Sequence, residues 1–161
     1  MGASQPTRPH TVEETGELIA KTAPDQLVVN GIVGDGAVVS FQIRGGMNRG
    51  TAFLFEIHGE EGDLQLTATS RASMQRRELN VKGARGDAKE LAELPIPVKY
   101  RWVPENLAPD SRYNVAQLYA RLAESIRDAK PVSPGFDAAV TRHRLLDAIV
   151  RASETGMKQV L

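Results

Sequence analysis

Residues 26–44 read QLVVNGIVGDGAVVSFQIR. Leu27, Val29 and Val33 fall on one face of this stretch and Gln26, Val28, Asn30 and Ile32 on the other, the period-two pattern of a strand. Gly34, Asp35 and Gly36 interrupt it, and an Asp-Gly step supplies the positive φ angles of a tight hairpin turn. Alternation resumes from Ala37 to Arg44, so the stretch predicts two antiparallel strands.

Working outward, a loop over 45–50 holds three glycines around Met47, Asn48 and Arg49, where a bulge is expected. It leads to a strand over 51–58 with Phe53, Phe55 and Ile57 on one side. Gly59, Glu60, Glu61 and Gly62 form a further turn into a strand over 63–67, and a fifth strand fits 77–82 with Leu79 and Val81 inward. Five consecutive strands with short links predict an antiparallel meander. Upstream, residues 1–24 are polar and proline-punctuated and read as an extended arm with room for one short strand, leaving 25–161 as one domain.

Downstream, residues 83–110 are irregular because Pro95, Pro97, Pro104 and Pro109 each remove a donor and restrict the preceding residue. Only 98–103 fits another strand. A helix over 114–130 is predicted from Val115, Leu118, Tyr119, Leu122 and Ile126, which share one stripe. A second helix over 136–155 buries Ala139, Val140, His143, Leu146, Ile149 and Val150, and Gly156 supplies its left-handed stop. The expected class is α+β: an open, mainly antiparallel sheet with two helices packed on one face.

Composition narrows the function. The 161 residues carry 20 basic and 20 acidic side chains and no net charge, which removes the broad attraction to nucleic acid or to an anionic membrane. No cysteine is present, so disulfides, thiolate nucleophiles and sulfur-rich metal sites are excluded. No apolar block resembles a signal peptide or a membrane span, and a cytoplasmic location is expected.

The two faces of the sheet differ. One collects Leu27, Val29, Val39, Phe41, Ile43, Phe53, Phe55, Ile57, Leu64, Leu66, Leu79 and Val81, an ordinary core. The other mixes Val28, Ile32, Val38 and Leu54 with Asn30, Ser40, Gln42, Arg44, Glu56 and His58. That blend of apolar centre and hydrogen-bonding rim is typical of subunit interfaces and predicts a homodimer through the sheet face. The competing reading is a solvent face that tolerates a few aliphatics.

Candidate chemistry is sparse. Gly31, Gly34 and Gly36 run G-x-x-G-x-G with a strand after them, where a dinucleotide loop needs a helix N-terminus. His10, His58 and His143 lack the paired spacing of metal ligands, and His143 reads as a core histidine. No serine stands in a G-x-S-x-G elbow. Tyr100, Arg101 and Trp102, followed by Tyr113 and Asn114, gather aromatic rings, a cation and an amide that could border a sugar-like ligand or simply cap the sheet edge. No catalytic, metal-binding or cofactor-binding residue is assigned.

Three segments resemble the C-terminal domain of the Gfo/Idh/MocA oxidoreductases, the group of glucose-fructose oxidoreductase and inositol dehydrogenase. They are DQLVVNGIVGDGAVVSF at 25–41, FEIHGEEGDL at 55–64 and FDAAVTRHRLLDAIVRASETGMKQ at 136–159. The GGMNRG loop and the YNVAQLY helix start are similar to the branch that includes galactose-regulon repressors. The resemblance implies an open sheet, dimerisation through its free face, and a larger relative that uses NAD or NADP on sugars or polyols. It also implies an N-terminal Rossmann domain with a glycine-rich loop, an E-K-P lysine and a D-x-x-x-H pair, none of which has a counterpart here. The chain is therefore expected to be a fragment that binds no cofactor and is inactive by itself, serving as substrate-side and oligomerisation domain. A non-catalytic sugar-sensing or protein-interaction module is the alternative, and a small α+β fold with its own dry pocket is a third reading.

Overall fold

The computed structural model describes residues 2–4, 10–11, 14–20, 23–45, 50, 52–68, 79–104, 106 and 111–161. In chain order they form β1 (Gly2–Ser4), β2 (His10–Thr11), β3 (Leu18–Ile19), β4 (Gln26–Val33), β5 (Ala37–Arg44), β6 (Phe53–Gly59), β7 (Gly62–Ala68), β8 (Asn80–Arg85), β9 (Ala92–Glu93), a 3-10 turn (Val98–Tyr100), α1 (Ser111–Arg127) and α2 (Phe136–Thr155). The class is α+β with open antiparallel sheet, as expected. Two compact units are present, residues 1–46 with 134–161, and residues 47–133.

In the first unit β4 and β5 form the expected antiparallel hairpin, in a register from Gln26↔Arg44 to Val33↔Ala37. Gly34 and Gly36 take φ of 53° and 120° in the turn, a backbone that side chains with a Cβ rarely adopt. Burial follows the predicted alternation in the middle of the hairpin, where Val29 is 5% exposed and Gln26, Val28, Asn30 and Ile32 face outward. Val33 and Ile43, expected on the inner face, are instead 55% and 56% exposed, because they stand near the two ends of the ladder. The arm holds more order than one short strand, since β1 adds to the free edge of β4 and β2 pairs with β3.

The helix α2 has the predicted limits, and Gly156 closes it at φ 68° with its N–H donating to Ala152 O (2.9 Å). Its buried side differs from the prediction. Ala148, Ile149 and Ala152 are buried, whereas Ala139, Val140, His143, Leu146 and Val150 are exposed. His143 is thus a surface residue, not a core histidine. The covered side lies about half a turn round from the expected stripe. Two of the three buried residues are alanines, α2 runs beside β1, and small side chains are those that let a helix pack closely.

In the second unit β6, β7, β8 and β9 follow one another as antiparallel neighbours. The five main strands do not continue as one meander, because no pairing joins β5 to β6 among the described residues. The Gly45 N–H donates back to Asp25 O (2.6 Å), which closes the ladder at the start of β4. The expected bulge around Met47, Asn48 and Arg49 lies outside the described residues. The fifth strand runs three residues later than predicted, as β8. Ala68, at the end of β7, and Gly83, in the middle of β8, are buried, whereas Phe55, Ile57 and Leu64 of the expected inner face keep large exposed fractions.

Residues 98–103 do not form a strand. Tyr100 N–H donates to Pro97 O (3.0 Å) and Arg101 N–H to Val98 O (2.8 Å), so the segment turns where Pro97 pre-sets φ and offers no ladder donor. The helix α1 starts and stops three residues earlier than predicted; Ala129, at φ 51°, ends it in a left-handed turn, with the Lys130 N–H donating to Ser125 O (2.9 Å). Its orientation is inverted. Val115, Leu118, Tyr119 and Ile126 are exposed and only Leu122 is half-covered, while the covered side carries Tyr113, Asn114, Gln117 and Arg121.

Candidate functional sites

Two surfaces carry the residues singled out by sequence. The first is built on Trp102, which sits at the end of the proline-rich segment and against α1. Its backbone N–H donates to Gln117 Oε1 (2.7 Å), and the Arg121 guanidinium lies 4.9 Å from its ring centroid. Gln117 and Arg121 are four residues apart and therefore stacked on one helical face. Arg121 is also held by Glu124 Oε2 at 2.7 Å, which fixes the cation over the ring.

Of the five residues expected to border a ligand, Trp102 meets the same side of α1 that carries the half-covered Tyr113 and Asn114. Tyr100 does not join them through its ring; it is exposed and stacks under Lys99, whose Nζ is 5.0 Å from the ring centroid. Arg101 is half-covered, and both it and Asn114 are engaged by neighbours. Gln117 and Arg121 were missed in the sequence. Their signal was the polar stripe Asn114, Gln117, Arg121, which recurs at helical spacing opposite the apolar one.

One hydrogen bond and one exposed cation–π contact are together expected to contribute about 1 to 2 kcal/mol. They act mainly to position the segment. Trp102 is the only tryptophan of the chain and is 46% exposed, so its emission reports on this contact alone. Gln117→Ala and Arg121→Ala are each expected to red-shift it as the ring loses its cover. An unchanged spectrum in both variants would show that the segment is held by something else.

The second surface is the outward sheet face. In the first unit Val28, Asn30, Ile32, Val38, Ser40, Gln42 and Arg44 are all exposed, and the register sets Val28 beside Gln42, Asn30 beside Ser40 and Ile32 beside Val38. The turn end of the hairpin is therefore apolar and the open end polar, with Val38 83% exposed. In the second unit Leu54, Glu56 and His58 are exposed on one face of β6. There Gln65 Nε2 donates to Glu56 Oε1 (2.8 Å), the His58 Nδ1–H donates to Asp63 Oδ1 (2.9 Å), and Lys82 pairs with Glu93 (3.2 Å). The face is a row of cross-strand polar pairs, each contributing about 1 kcal/mol or less in the solvated state.

Neither surface gathers catalytic groups. His58 has one carboxylate partner, and no group of three His, Cys, Asp or Glu residues able to hold a metal occurs among the described residues. Gly31, Gly34 and Gly36 lie in β4 and its hairpin turn, followed by β5 and not by a helix. A concavity of about 420 Å³ opens on the second unit's sheet over Gly83, which has no side chain, and is bordered by Gly62. Leu64 and Leu94 line it, and the Arg85–Glu61 ion pair closes its rim. This is an open dent on a sheet, not the dry pocket between helices and sheet that the third reading requires. No helix among the described residues is long and apolar enough to cross a membrane.

Residues 7–68 match the Gal80p_C-like family model, described as the C-terminal domain of Gal80p. The match spans β2 to β7 and includes two of the three segments on which the resemblance to the Gfo/Idh/MocA C-terminal domain rests. It agrees with that resemblance. No curated protein and no solved structure matches the chain.

Proposed function

We propose that this chain is the substrate-side and oligomerisation domain of an NAD(P)-dependent sugar or polyol oxidoreductase, inactive in hydride transfer by itself. One observation carries the reading: the β4–β5 face, inside the stretch that matches the Gal80p C-terminal domain, is fully outward-facing and joins an apolar end at Ile32 and Val38 to a polar end at Gln42 and Arg44. Aliphatic side chains at the tip supply the burial that drives association, and the amide and guanidinium groups supply the directional rim. The partner is a second copy, pressed face to face. Reaction chemistry comes from a dinucleotide-binding domain, whose glycine loop has no counterpart in these 161 residues. The Trp102 segment borders the substrate.

Sedimentation of the chain at micromolar concentration tests the association. A dimer is expected, and Val38→Asp should weaken it at least tenfold, equivalent to about 1.4 kcal/mol, without altering the circular dichroism spectrum. A wild-type monomer would overturn the oligomerisation role. Titration with NAD and NADP should leave the fluorescence of Trp102 unchanged, and saturable binding of either would overturn the division of labour.

The resemblance of the GGMNRG loop and the YNVAQLY helix start to the repressor branch is the ground for a second reading, a non-catalytic sugar-sensing or protein-interaction module. Reconstitution with a dinucleotide-binding domain separates the two, since only the first yields sugar-dependent reduction of the cofactor.

A further inference from the structure

We propose that α1 pairs with the α1 of a second copy of this chain, antiparallel, through its exposed apolar stripe. The structure turns this 17-residue helix so that Asn114, Gln117 and Arg121 are covered and Val115, Leu118, Tyr119 and Ile126 point outward, between 51% and 72% exposed. Those four side chains present on the order of 400 Å² of apolar surface, and with a polar rim on two copies the covered area reaches about 1,000 Å², the lower bound for a specific interface. Apolar patches of that size are often functional.

The stripe is complementary to itself when reversed. With the two-fold axis near position 120 to 121, Leu118 of each copy meets Leu122 of the other, Tyr119 lies over Ala123, and Ile126 lies over Ala116. Tyr119 and Ile126 thus face alanines, and the leucines pack on each other at the centre of the contact. Electrostatics does not oppose the contact. Residues 113–120 carry no charge, and Arg121 and Glu124 are tied to each other in an ion pair. Such an isologous contact closes after two copies. It is independent of the sheet-face dimer, because it uses neither β4 nor β5.

The absence of cysteine makes a direct test available. Ala116→Cys and Ile126→Cys chains are prepared separately, mixed in equal amounts and mildly oxidised. The mixture is expected to give a disulfide-linked heterodimer. Either chain alone is expected to give almost none, because like positions would lie about 15 Å apart along antiparallel helices, beyond disulfide reach. Adding Leu118→Glu to the Ala116→Cys chain should lower the heterodimer yield at least tenfold, and Val38→Asp should leave it unchanged. No heterodimer, equal cross-linking of each chain with itself, or a yield insensitive to Leu118→Glu would each overturn the pairing. Loss of cross-linking on Val38→Asp would also overturn it, by making the contact a by-product of the sheet-face dimer.

Discussion

Gly62→Ala is expected to destabilise the sheet of the second unit by about 3 kcal/mol or more, the upper end of what overpacking costs. A Cβ at this position would stand 2.2 Å from the Ala84 carbonyl oxygen and 3.0 Å from the Arg85 Cα. Both obstacles are backbone atoms of β8, which is hydrogen-bonded to β7 on this side and to β9 on the other. No rotamer change can relieve the clash, so the ladder itself must open. Gly83→Ala is the control. Its Cβ would meet the ends of Leu94 and Leu64 at 2.7 and 3.0 Å, flexible groups that can move aside, and the Asp63 carbonyl oxygen only at 3.2 Å, so a cost nearer about 1 to 2 kcal/mol is expected. For a chain of this length 3 kcal/mol lowers the thermal midpoint by about 6 to 12 °C, measured by circular dichroism. Equal midpoints for Gly62→Ala and wild type would show that β7 and β8 do not approach this closely.

Ile149→Ala is expected to cost about 2 to 4 kcal/mol, because it removes buried methylenes and leaves a cavity between α2 and its surroundings. Ile149 is 6% exposed, whereas Val140, on the stripe the periodicity selected, is 50% exposed. Val140→Ala should therefore be nearly neutral, as the small loss of burial is offset by the higher helix propensity of alanine. Denaturant unfolding of the pair measures which side of α2 is inside. The opposite ranking would restore the stripe of Val140, Leu146 and Val150 as the buried one.

The inverted helix α1 has an energetic consequence. The contacts that hold it through Trp102 contribute about 1 to 2 kcal/mol, while burying its four outward side chains would stabilise by about 5 kcal/mol even at part coverage. Local contacts alone do not outweigh that difference. The exposed stripe is a surface with a large free-energy incentive to be covered, which is why the pairing of α1 ranks with the sheet face as a place to look for assembly.

Much of the local structure was legible in the residue order. The hairpin of β4 and β5, the strand positions from Phe53 to Ala68 and both limits of α2 follow from alternation, from Gly34 and Gly36 in their positive-φ turn, and from Gly156 as a helix stop. These are short-range constraints: sterics at one residue, or the side-chain period of one element. Pro97 shows where that reading weakens. Val98, Tyr100 and Trp102 alternate like a strand, yet the missing donors leave no ladder to join, and the 3-10 turn prevails.

The sequence by itself determined the element types, the antiparallel hairpin, the neutral charge and the lack of cysteine chemistry, because each depends on one residue or its near neighbours. Only the tertiary structure decided which side of each helix is covered, that Gln117 and Arg121 grip Trp102, and that pairing stops between β5 and β6. A helix with two plausible faces is oriented by what it meets, and the partners, β1 beside α2 and a backbone amide against Gln117 of α1, act across contacts that no period along the chain encodes.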